Sequence, residues 1–417
     1  MVKKSGVALI FSTLFIDVAA MGMLIPVLPE LLRGFVDGDF GRAAKLAGMI
    51  AALSAGLSFV CAPVLGALSD RVGRKPMLIL GMVGPAVTYF ALAVSPSIGW
   101  YVAGFCLSGV LGAILNTVNA YIADVTPYED RAARYGMVGA AFGVGFIVGP
   151  LAGGLLGSFG IAVPLLVAGA VTVLNLVLCV ALLPESLEQS KRRRFRWSQA
   201  NPIASLGLLR RTPLLIALAA MLLLTNLANQ GLYATWVFST TMRFDWSMAV
   251  VGVVFAVMGI SFALSQGLLV GPVVKRLGER RSILVGLTTS VVVYVAYALV
   301  PEGWMVFLVI VFGALGAIDE PATQALLSAS VDETEQGAIQ GAVASLLSIT
   351  AIVGPLVSTG VFSYFTSASA PVTFPGAPLA FGAVLVLAAL VVAWRFVRPA
   401  PRPVAVAVAQ PELALAV

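Results

Sequence analysis

Long apolar runs alternate with short polar connections along the whole chain. Twelve of these runs reach the length of about 20 apolar residues that a helix needs to cross the hydrocarbon core of a bilayer. The first six runs cover residues 7–28, 47–67, 77–95, 99–122, 135–157 and 161–183, and the second six cover residues 213–238, 249–271, 282–300, 303–329, 337–363 and 377–396. The pattern therefore predicts an all-α membrane protein with twelve transmembrane helices.

The composition agrees with a bilayer as the main solvent of the chain. Of the 417 residues, 60% are hydrophobic and 11% are charged, whereas soluble domains are about 45–50% apolar and about 25% charged. A soluble fold of this composition would expose larger apolar patches than monomers tolerate. Cys61, Cys106 and Cys179 lie inside apolar runs without paired spacing. We therefore expect neither a disulfide framework nor a metal site, and no cofactor.

The basic residues predict the orientation of the helices. Lysine and arginine favour the cytoplasmic ends of membrane helices. With a cytoplasmic N-terminus, all but four of the 25 basic residues fall on the cytoplasmic side; the exceptions are Arg33, Arg42, Lys45 and Arg243. We therefore expect an integral protein of the plasma (bacterial inner) membrane with both termini in the cytoplasm. The first apolar run contains Asp17 and is too long for a signal peptide, so we interpret it as an uncleaved helix.

A basic hydrophilic stretch divides the chain near its middle. It predicts four parts, which are an N-terminal six-helix bundle at 1–183, a basic cytoplasmic linker at 184–212, a C-terminal six-helix bundle at 213–396 and a disordered cytoplasmic tail at 397–417. Attachment to anionic lipids is an alternative to a purely topogenic role for the linker's charges.

An internal repeat relates the two halves. Gly66, Arg71, Gly73 and Gly81 are matched by Gly271, Arg276, Gly278 and Gly286, and Gly149-Pro150 is matched by Gly354-Pro355, all at a separation of 205 residues. A single separation that holds over three helices predicts two similar bundles related by an axis along the membrane normal.

The loop between the second and third runs reads Gly-Ala-Leu-Ser-Asp-Arg-Val-Gly-Arg-Lys-Pro from Gly66 to Pro76. It resembles the signature loop of the major facilitator superfamily. The resemblance implies two six-helix bundles and a cytoplasmic gate, in which Asp70 pairs with Arg131 or Arg134 and faces the N-terminus of the eleventh helix, an end that favours an anion. The implied gate residues are Gly66, Asp70, Arg71, Gly73, Arg74, Lys75, Arg131 and Arg134. A merely topogenic basic turn is the alternative.

The fifth run carries small residues and a proline in a pattern similar to that of the exporter branch of the superfamily. Small residues let helix backbones approach closely, and proline permits a bend. We expect helix packing at Gly145, Gly149, Pro150, Gly153 and Gly154. Generic packing without a link to export is the alternative.

Longer segments resemble the tetracycline-efflux group of drug:H+ antiporters. They are Asp17–Glu30, Arg243–Trp246, Leu277–Arg280 and Gln336–Gly341. Members that export tetracycline typically carry acids in helices 3 and 9, a histidine in helix 8 and an arginine in helix 4. This chain has Thr88, Ser290, Phe262 and Phe105 there, and no histidine anywhere. These departures argue against tetracycline as the substrate and imply a different proton pathway.

Three acids, Asp17, Asp319 and Glu320, are placed well inside the apolar runs. A carboxyl group is costly in hydrocarbon, so it indicates a functional site by default. We expect these acids to couple proton movement to transport around a shared central cavity. A carboxyl that only hydrogen-bonds a neighbouring helix is the alternative, and because Asp319 and Glu320 are adjacent, we expect only one to face the cavity fully.

Neutral polar residues concentrate in the fourth, seventh and tenth helices, which the resemblance places around the central cavity. The set in the seventh helix recurs at i, i+3, i+4 and i+7, which forms one polar stripe. The expected cavity residues are Asn116, Asn119, Asn226, Asn229, Gln230, Tyr233 and Gln324. Hydrogen bonding between helices is the alternative.

Taken together, these features favour a secondary transporter that exports an amphipathic organic compound or drug in exchange for H+ by alternating access. The alternatives are a metabolite symporter or facilitator and a membrane receptor or scaffold. The sequence has no Walker A loop, no HExxH motif and no nucleophile paired with histidine, so an enzyme or an ATP-driven pump is disfavoured. The basic residues form no patch with interleaved aromatics, which disfavours nucleic-acid binding. We expect a monomer.

Overall fold

The computed structural model describes residues 2–94, 97–111, 114–192, 204–314, 316–332 and 335–397, and this part of the chain contains helices and no strands. Twelve helices in it are long and apolar enough to cross a membrane, which confirms the prediction. We number them spans 1 to 12: Val2–Met23, Phe40–Val72, Arg74–Val94, Ile98–Leu111 with Ile114–Val125, Arg131–Gly157, Ala162–Leu182, Pro213–Phe244, Met248–Leu264 continued by Ser265–Val270 and Gly271–Leu277, Glu279–Leu299, Gly303–Ala314 with Asp319–Ala329, Gln336–Phe365 and Ala377–Phe396.

Several spans are longer than the apolar runs because polar residues cap them outside the apolar region. Span 2 begins after Asp39, whose carboxylate accepts a hydrogen bond from the backbone N–H of Arg42 at 2.9 Å. Span 7 begins after Thr212, whose hydroxyl accepts from the N–H of Leu215 at 3.1 Å. Such caps satisfy N–H groups that the first helical turn leaves unpaired. Hydropathy alone therefore places the start of span 2 too far inward, at residue 47, whereas span 7 begins at residue 213 as predicted.

Short helices connect or flank the spans. They are the α-helix Leu28–Arg33 and the 3₁₀ helices Tyr128–Asp130, Gln189–Lys191 and Ala204–Arg210. The last one belongs to the expected linker, yet Leu208 and Leu209 are buried in the core of spans 7–12. An ion pair between Arg211 and Glu335 ties the same segment to the start of span 11. The end of the expected linker is therefore packed structure. Residues 193–203, and residues 398–417 of the expected tail, lie outside the described residues.

The two halves meet at one face of the molecule, which we call the far face because it lies opposite the loop Gly66–Pro76. Gly48 of span 2 lies so close to Thr359 and to the carbonyl of Pro355 in span 11 that a Cβ would not fit. Gly252 of span 8 lies so close to the carbonyl of Pro150 in span 5 that a Cβ would not fit there either. The four spans that face the other half are therefore in backbone contact at the far face.

At the opposite face, which we call the basic face, the halves are separated. A cleft of about 600 Å³ lies between span 2, span 4 and span 11, lined by small residues together with Phe59, Pro63 and Asn116. Three glycines at this face border open space among the described residues. A Cβ added to any of them would have no atom of another element within 4 Å, and they are Gly66, Gly139 and Gly271. The molecule is therefore closed at the far face and open at the basic face.

The small residues of span 5 fit directly onto span 1. Gly145, Gly149 and Gly153 lie at successive four-residue steps. They contact the backbone carbonyls of Phe15, Ala19 and Met23, which also recur every four residues. Helices that expose glycines in this way approach to backbone contact, and packing of this kind drives helix association in lipid.

The other two packing residues of span 5 extend this contact to the second half. Gly154 lies against the backbone of Met248 and Gly252 in span 8, and Pro150 lies against Gly22 of span 1. Span 5 is thus held between span 1 of its own bundle and span 8 of the other.

We predict that Gly149→Ala destabilises the protein while Gly139→Ala in the same helix does not. A methyl group at Gly149 would meet the carbonyl of Ala19 and Cα of Gly22, whereas Gly139 faces open space. Overpacking of this kind costs about 1–3 kcal/mol, and alanine is otherwise the better helix former. Thermal unfolding of the two purified variants in detergent tests this prediction; equal midpoints would contradict it.

Candidate functional site

A chamber of about 270 Å³ lies inside the second bundle, between spans 7, 8, 9 and 10. Two of the intramembrane acids, Asp319 and Glu320, are part of its wall. Three residues of the span 7 stripe join them, and these are Asn226, Asn229 and Tyr233. Among the described residues that line the chamber there is no lysine and no arginine. Its electrostatics are therefore set by carboxyl, amide and phenol groups.

The span 7 stripe reaches across the chamber to span 9. The hydroxyl of Tyr294 donates a hydrogen bond to Oδ1 of Asn229 at 2.9 Å. Asn226 instead donates to the carbonyl of Leu222 in its own helix at 3.0 Å. Tyr233 is 64% exposed and lies within electrostatic range of Glu320. The phenol of Tyr233 is thus free to meet a ligand, while Asn229 is held by its partner.

The two acids occupy the first turn of a half-helix. Span 10 is interrupted at residues 316–318, and its second part begins at Asp319. The interruption packs closely against span 9 at Gly286. A Cβ at Gly286 would collide with Asp319 and with the carbonyl of Gly316. A helix N-terminus carries positive partial charge, which stabilises carboxylates in the first turn. Glu320 is exposed, whereas Asp319 is half-buried.

The structure assigns the remaining predicted cavity residues to other places. Asp17 is partly exposed in span 1, within electrostatic range of Tyr89 of span 3, and is not part of the chamber wall. Gln230 packs against Gly354 of span 11. Asn116 lines the cleft at the basic face. Asn119 lies in the second part of span 4 and Gln324 in that of span 10. The three acids therefore do not share this chamber, because Asp17 belongs to the other bundle.

Several chamber residues were not expected from the sequence. Gln266 of span 8 and Tyr294 of span 9 both line it. The polar side chain of Gln266 inside an apolar run was a usable signal, because polar groups inside the membrane usually face protein or a cavity. Tyr294 gave no such signal, since tyrosine is common in membrane helices. Phe262 and Ser290, at the positions where tetracycline exporters typically carry a histidine and an acid, also lie in the wall.

The loop Gly66–Pro76 forms an ion-paired network at the basic face. The guanidinium of Arg74, which is nearly buried, contacts Asp70 at 2.6 Å and Asp124 of span 4 at 3.0 Å. The same guanidinium donates to Oγ of Ser69 at 3.0 Å. Ser186, just after span 6, donates to the Asp124 carboxylate at 3.0 Å. The network therefore fastens spans 2, 3 and 4 to the segment that follows span 6.

Glu185 caps the N-terminus of span 3. Its carboxylate accepts hydrogen bonds from the backbone N–H groups of Arg74 at 2.8 Å and Lys75 at 3.2 Å. Gly73 makes this possible, because its φ is 114° and a Cβ would meet the Glu185 carboxylate. Gly73 was predicted as a gate residue, whereas Asp124 and Glu185 were not, because they lie far along the chain from the loop.

The other gate residues lie around this network. Arg71 is exposed, and Lys75 donates to the carbonyl of Val180 at 2.8 Å. Arg131 donates to the carbonyl of Ala123 at 2.9 Å, and Arg134 contacts the sulfur of Met137. Asp70 pairs here with Arg74, a partner that was not expected. Its pairing with Arg131 or Arg134 stays a prediction for a state closed at the basic face.

The chain was compared with protein families and with curated proteins. A model described as the Major Facilitator Superfamily matches residues 10–318 and 225–415. The class C tetracycline resistance protein of Escherichia coli is 39% identical over 390 residues, which cover 94% of this chain and 96% of that protein. The Hippocampus abundant transcript 1 protein of Mus musculus is 28% identical over 91% of this chain and 82% of its own length.

Solved structures share the fold. The human organic anion transporter MFSD10 (TETRAN) superimposes with a TM-score of 0.67 at 22% identity, covering 94% of this chain and 99% of its own. The nucleoside transporter NupG gives a TM-score of 0.72 at 14% identity, covering 94% of this chain and 98% of its own. At these identities the likeness supports two six-helix bundles and nothing about the substrate.

We predict that Gly73→Ala lowers stability more than Gly278→Ala, its counterpart in the second half. Both glycines have positive φ, 114° and 75°, but only Gly73 lies against a carboxylate, whereas among the described residues nothing approaches a Cβ at Gly278. Displacing Glu185 would remove charge-assisted hydrogen bonds worth about 1.5–3 kcal/mol each. Thermal unfolding of both variants measures the difference, and a loss of the same size in each would refute the steric role of Gly73.

Proposed function

The chain belongs to the Major Facilitator Superfamily, and from this premise we propose that it exports an amphipathic organic compound in exchange for protons. The family makes it an integral membrane transporter of a small molecule and not an enzyme. The observation that carries the proposal is the chamber, which presents Asp319 and Glu320 inside a span and has no cationic side chain among its described wall residues.

The orientation of the open cleft is compatible with export. The basic face carries most of the lysine and arginine residues, so in this proposal it is the cytoplasmic face. The cleft then opens toward the cytoplasm, and the far-face contacts close the route to the outside. An exporter loads its substrate in this state. The curated relatives named as tetracycline resistance proteins point in the same direction.

Coupling between substrate and protons needs a titratable side chain that is ionised when substrate is bound and protonated when it is not. A carboxylate inside hydrocarbon is costly unless it is paired or protonated. A substrate with a cationic or hydrogen-bond-donating group stabilises the ionised acid and so favours proton release, and its differential affinity for the two states shifts the conformational balance. In this proposal Asp319 and Glu320 serve both the substrate and the proton. Asp17 serves the proton in the first bundle.

The wall of the chamber favours a substrate other than tetracycline. Phe262 and Ser290 replace the ionisable side chains typical of tetracycline exporters, and both contribute to the wall. An apolar ring and a hydroxyl at these positions suit a largely hydrophobic compound with few charges. Symport of a metabolite and a scaffold without transport remain the alternatives that the experiments below distinguish.

The ion-paired loop supplies the gate in this proposal. Asp70 lies at the end of span 2, where the two halves must meet when the cytoplasmic side closes. Its side chain is 43% exposed although it pairs with Arg74. It can therefore also face the N-terminus of span 11, a favourable place for an anion.

We predict that Asp319→Asn together with Glu320→Gln abolishes proton-coupled transport. In inverted vesicles that hold a proton gradient, adding a transported compound should release protons from wild-type vesicles, and a pH-sensitive dye reports the release. Removing both titratable groups should lower the rate at least about tenfold. Glu302→Gln, in an exposed loop at the far face, serves as the control and should leave the rate unchanged.

The outcomes separate the candidate functions. Full coupled transport in the double variant would remove these acids from the mechanism. Transport in wild type without proton release would favour a facilitator. If a broad panel of lipophilic compounds gave neither flux nor binding, the scaffold would be favoured.

We predict that Asp17→Asn also abolishes proton release, with insertion into the membrane intact, because asparagine keeps the size of the side chain. The same vesicle assay measures this, and immunoblotting of washed membranes controls for expression. An active Asp17→Asn variant would exclude Asp17 from coupling.

We predict that Asp70→Ala slows transport at least about fivefold, because the closed cytoplasmic side loses the anion facing span 11. The exposed Asp37 at the far face, changed to asparagine, gives a control away from the gate. An unchanged rate in Asp70→Ala would refute the gate role.

A further inference from the structure

The interruption of span 10 is joined to span 8 by two side-chain hydrogen bonds. Oγ of Ser265 donates to the carbonyl of Ala314, which ends the first part of span 10. Nε2 of Gln266 donates to the carbonyl of Ala317, inside the interruption, at 3.1 Å. Backbone carbonyls that leave a helix at membrane depth need replacement partners from the protein or from a cavity. These two side chains supply them.

Span 8 changes its helical form where these bonds are made. Residues Ser265–Val270 form a π-helix between two α-helical parts. A π-helical turn holds more residues than an α-helical turn, and such turns occur frequently at functional sites. The wider turn allows two consecutive residues, Ser265 and Gln266, to contact the same neighbouring span.

The equivalent contact in the first half uses serine hydrogen bonds of the same kind and adds a close backbone contact. Ser54 and Ser58 of span 2 donate to the carbonyls of Phe105 and Gly109 in span 4, each at 2.9 Å. Gly109 and Ala314 are equivalent by the repeat of 205 residues. At Gly109 the backbone of Ser54 lies so close that a Cβ would not fit. Side-chain hydrogen bonds and direct backbone contact together therefore hold spans 2 and 4 in the first half.

In the second half Ala314 stands in place of Gly109, and the nearby glycines of span 10 pack against span 9. Gly313 and Gly316 lie against Val293 and Thr289 of span 9. The hydrogen bonds between spans 8 and 10 at the interruption come from two side chains, and one of them, Gln266, also lines the chamber. Because Gln266 lines the chamber, its amide can give up the hydrogen bond to Ala317 and bind a ligand instead.

We propose that the π-helical turn of span 8 and the interruption of span 10 form a hinge, in which Ser265 and Gln266 are positioning residues for Asp319 and Glu320. This inference rests on the proposed function, since it assigns a use to the same chamber. With both bonds made, the half-helix that begins at Asp319 is held against span 8. A substrate that takes the amide of Gln266 releases the carbonyl of Ala317. The half-helix and its two acids then move, which links substrate binding to proton exchange.

The inference is tested by hydrogen–deuterium exchange of the purified full chain, which needs no known substrate. Gln266→Leu and Ser265→Ala should each accelerate amide exchange in peptides covering residues 313–323 by about fivefold to tenfold, as expected for the loss of one hydrogen bond. Ser261→Ala, one turn earlier in the same helix, and Ser58→Ala in the first half are the matched controls. Neither should change exchange in these peptides.

A second readout distinguishes positioning from general stability. With a transported compound, Gln266→Leu should displace the pH of half-maximal transport by at least about half a unit, while Ser261→Ala leaves the profile in place. Unchanged exchange at residues 313–323 in both hinge variants would overturn the hinge, as would equal acceleration in Ser261→Ala. If exchange accelerates as expected and wild-type protein moves no compound, the hinge stands and the proposed function fails.

Discussion

Inside a bilayer, every backbone donor and acceptor must find its partner within the protein, and this constraint governs each irregular place in the structure. Regular helices satisfy it by themselves, which is why the described chain crosses the membrane only as helices. Where a helix breaks or ends, a side chain takes over. Ser265 and Gln266 serve the carbonyls of span 10, Arg243 donates to the carbonyls of Tyr297 and Val300 at the end of span 9, and Glu185 accepts from the first N–H groups of span 3.

The same constraint explains what the sequence could predict. Twelve apolar runs were sufficient for twelve spans, because the length of a helix in lipid follows directly from the thickness of the hydrocarbon. The glycines of span 5 could be assigned to packing because their four-residue spacing makes one face of a helix. The side chains that hydrogen-bond backbone groups at helix ends and breaks were much harder to predict. Each lies in another span or connection, at no fixed separation along the sequence from the backbone group that it binds. Glu185, 111 residues after Arg74, is one example.

The candidate site shows a second limit. Hydropathy located Asp17, Asp319 and Glu320 at depth, but depth does not say which cavity a side chain faces. That depends on the rotation of each helix, which is set by the glycine contacts of its neighbours. Gly286 against Asp319 and Gly145 against Phe15 are such contacts. They can be recognised only after the pairs of helices are known. The amides of span 7 illustrate the result, because Asn229 reaches the chamber while the adjacent Gln230 packs against span 11.

The two halves repeat one architecture but divide its chemistry between them. Arg74 and Asp124 fasten the first bundle at the basic face, and the repeat replaces them by Glu279 and Ala329 in the second. The second bundle therefore lacks this set of ionic ties, and it contains the chamber, the π-helical turn and the interrupted span. At the far face, Gly48 and Gly252 contact backbone carbonyls of the other half, and these two contacts involve no ion pair. Such contacts separate without leaving a charge unpaired. A first bundle tied by ion pairs, a second bundle with an interrupted span and a π-helical turn, and an interface whose two glycine contacts at the far face involve no ion pair are the features on which the proposed alternating access rests.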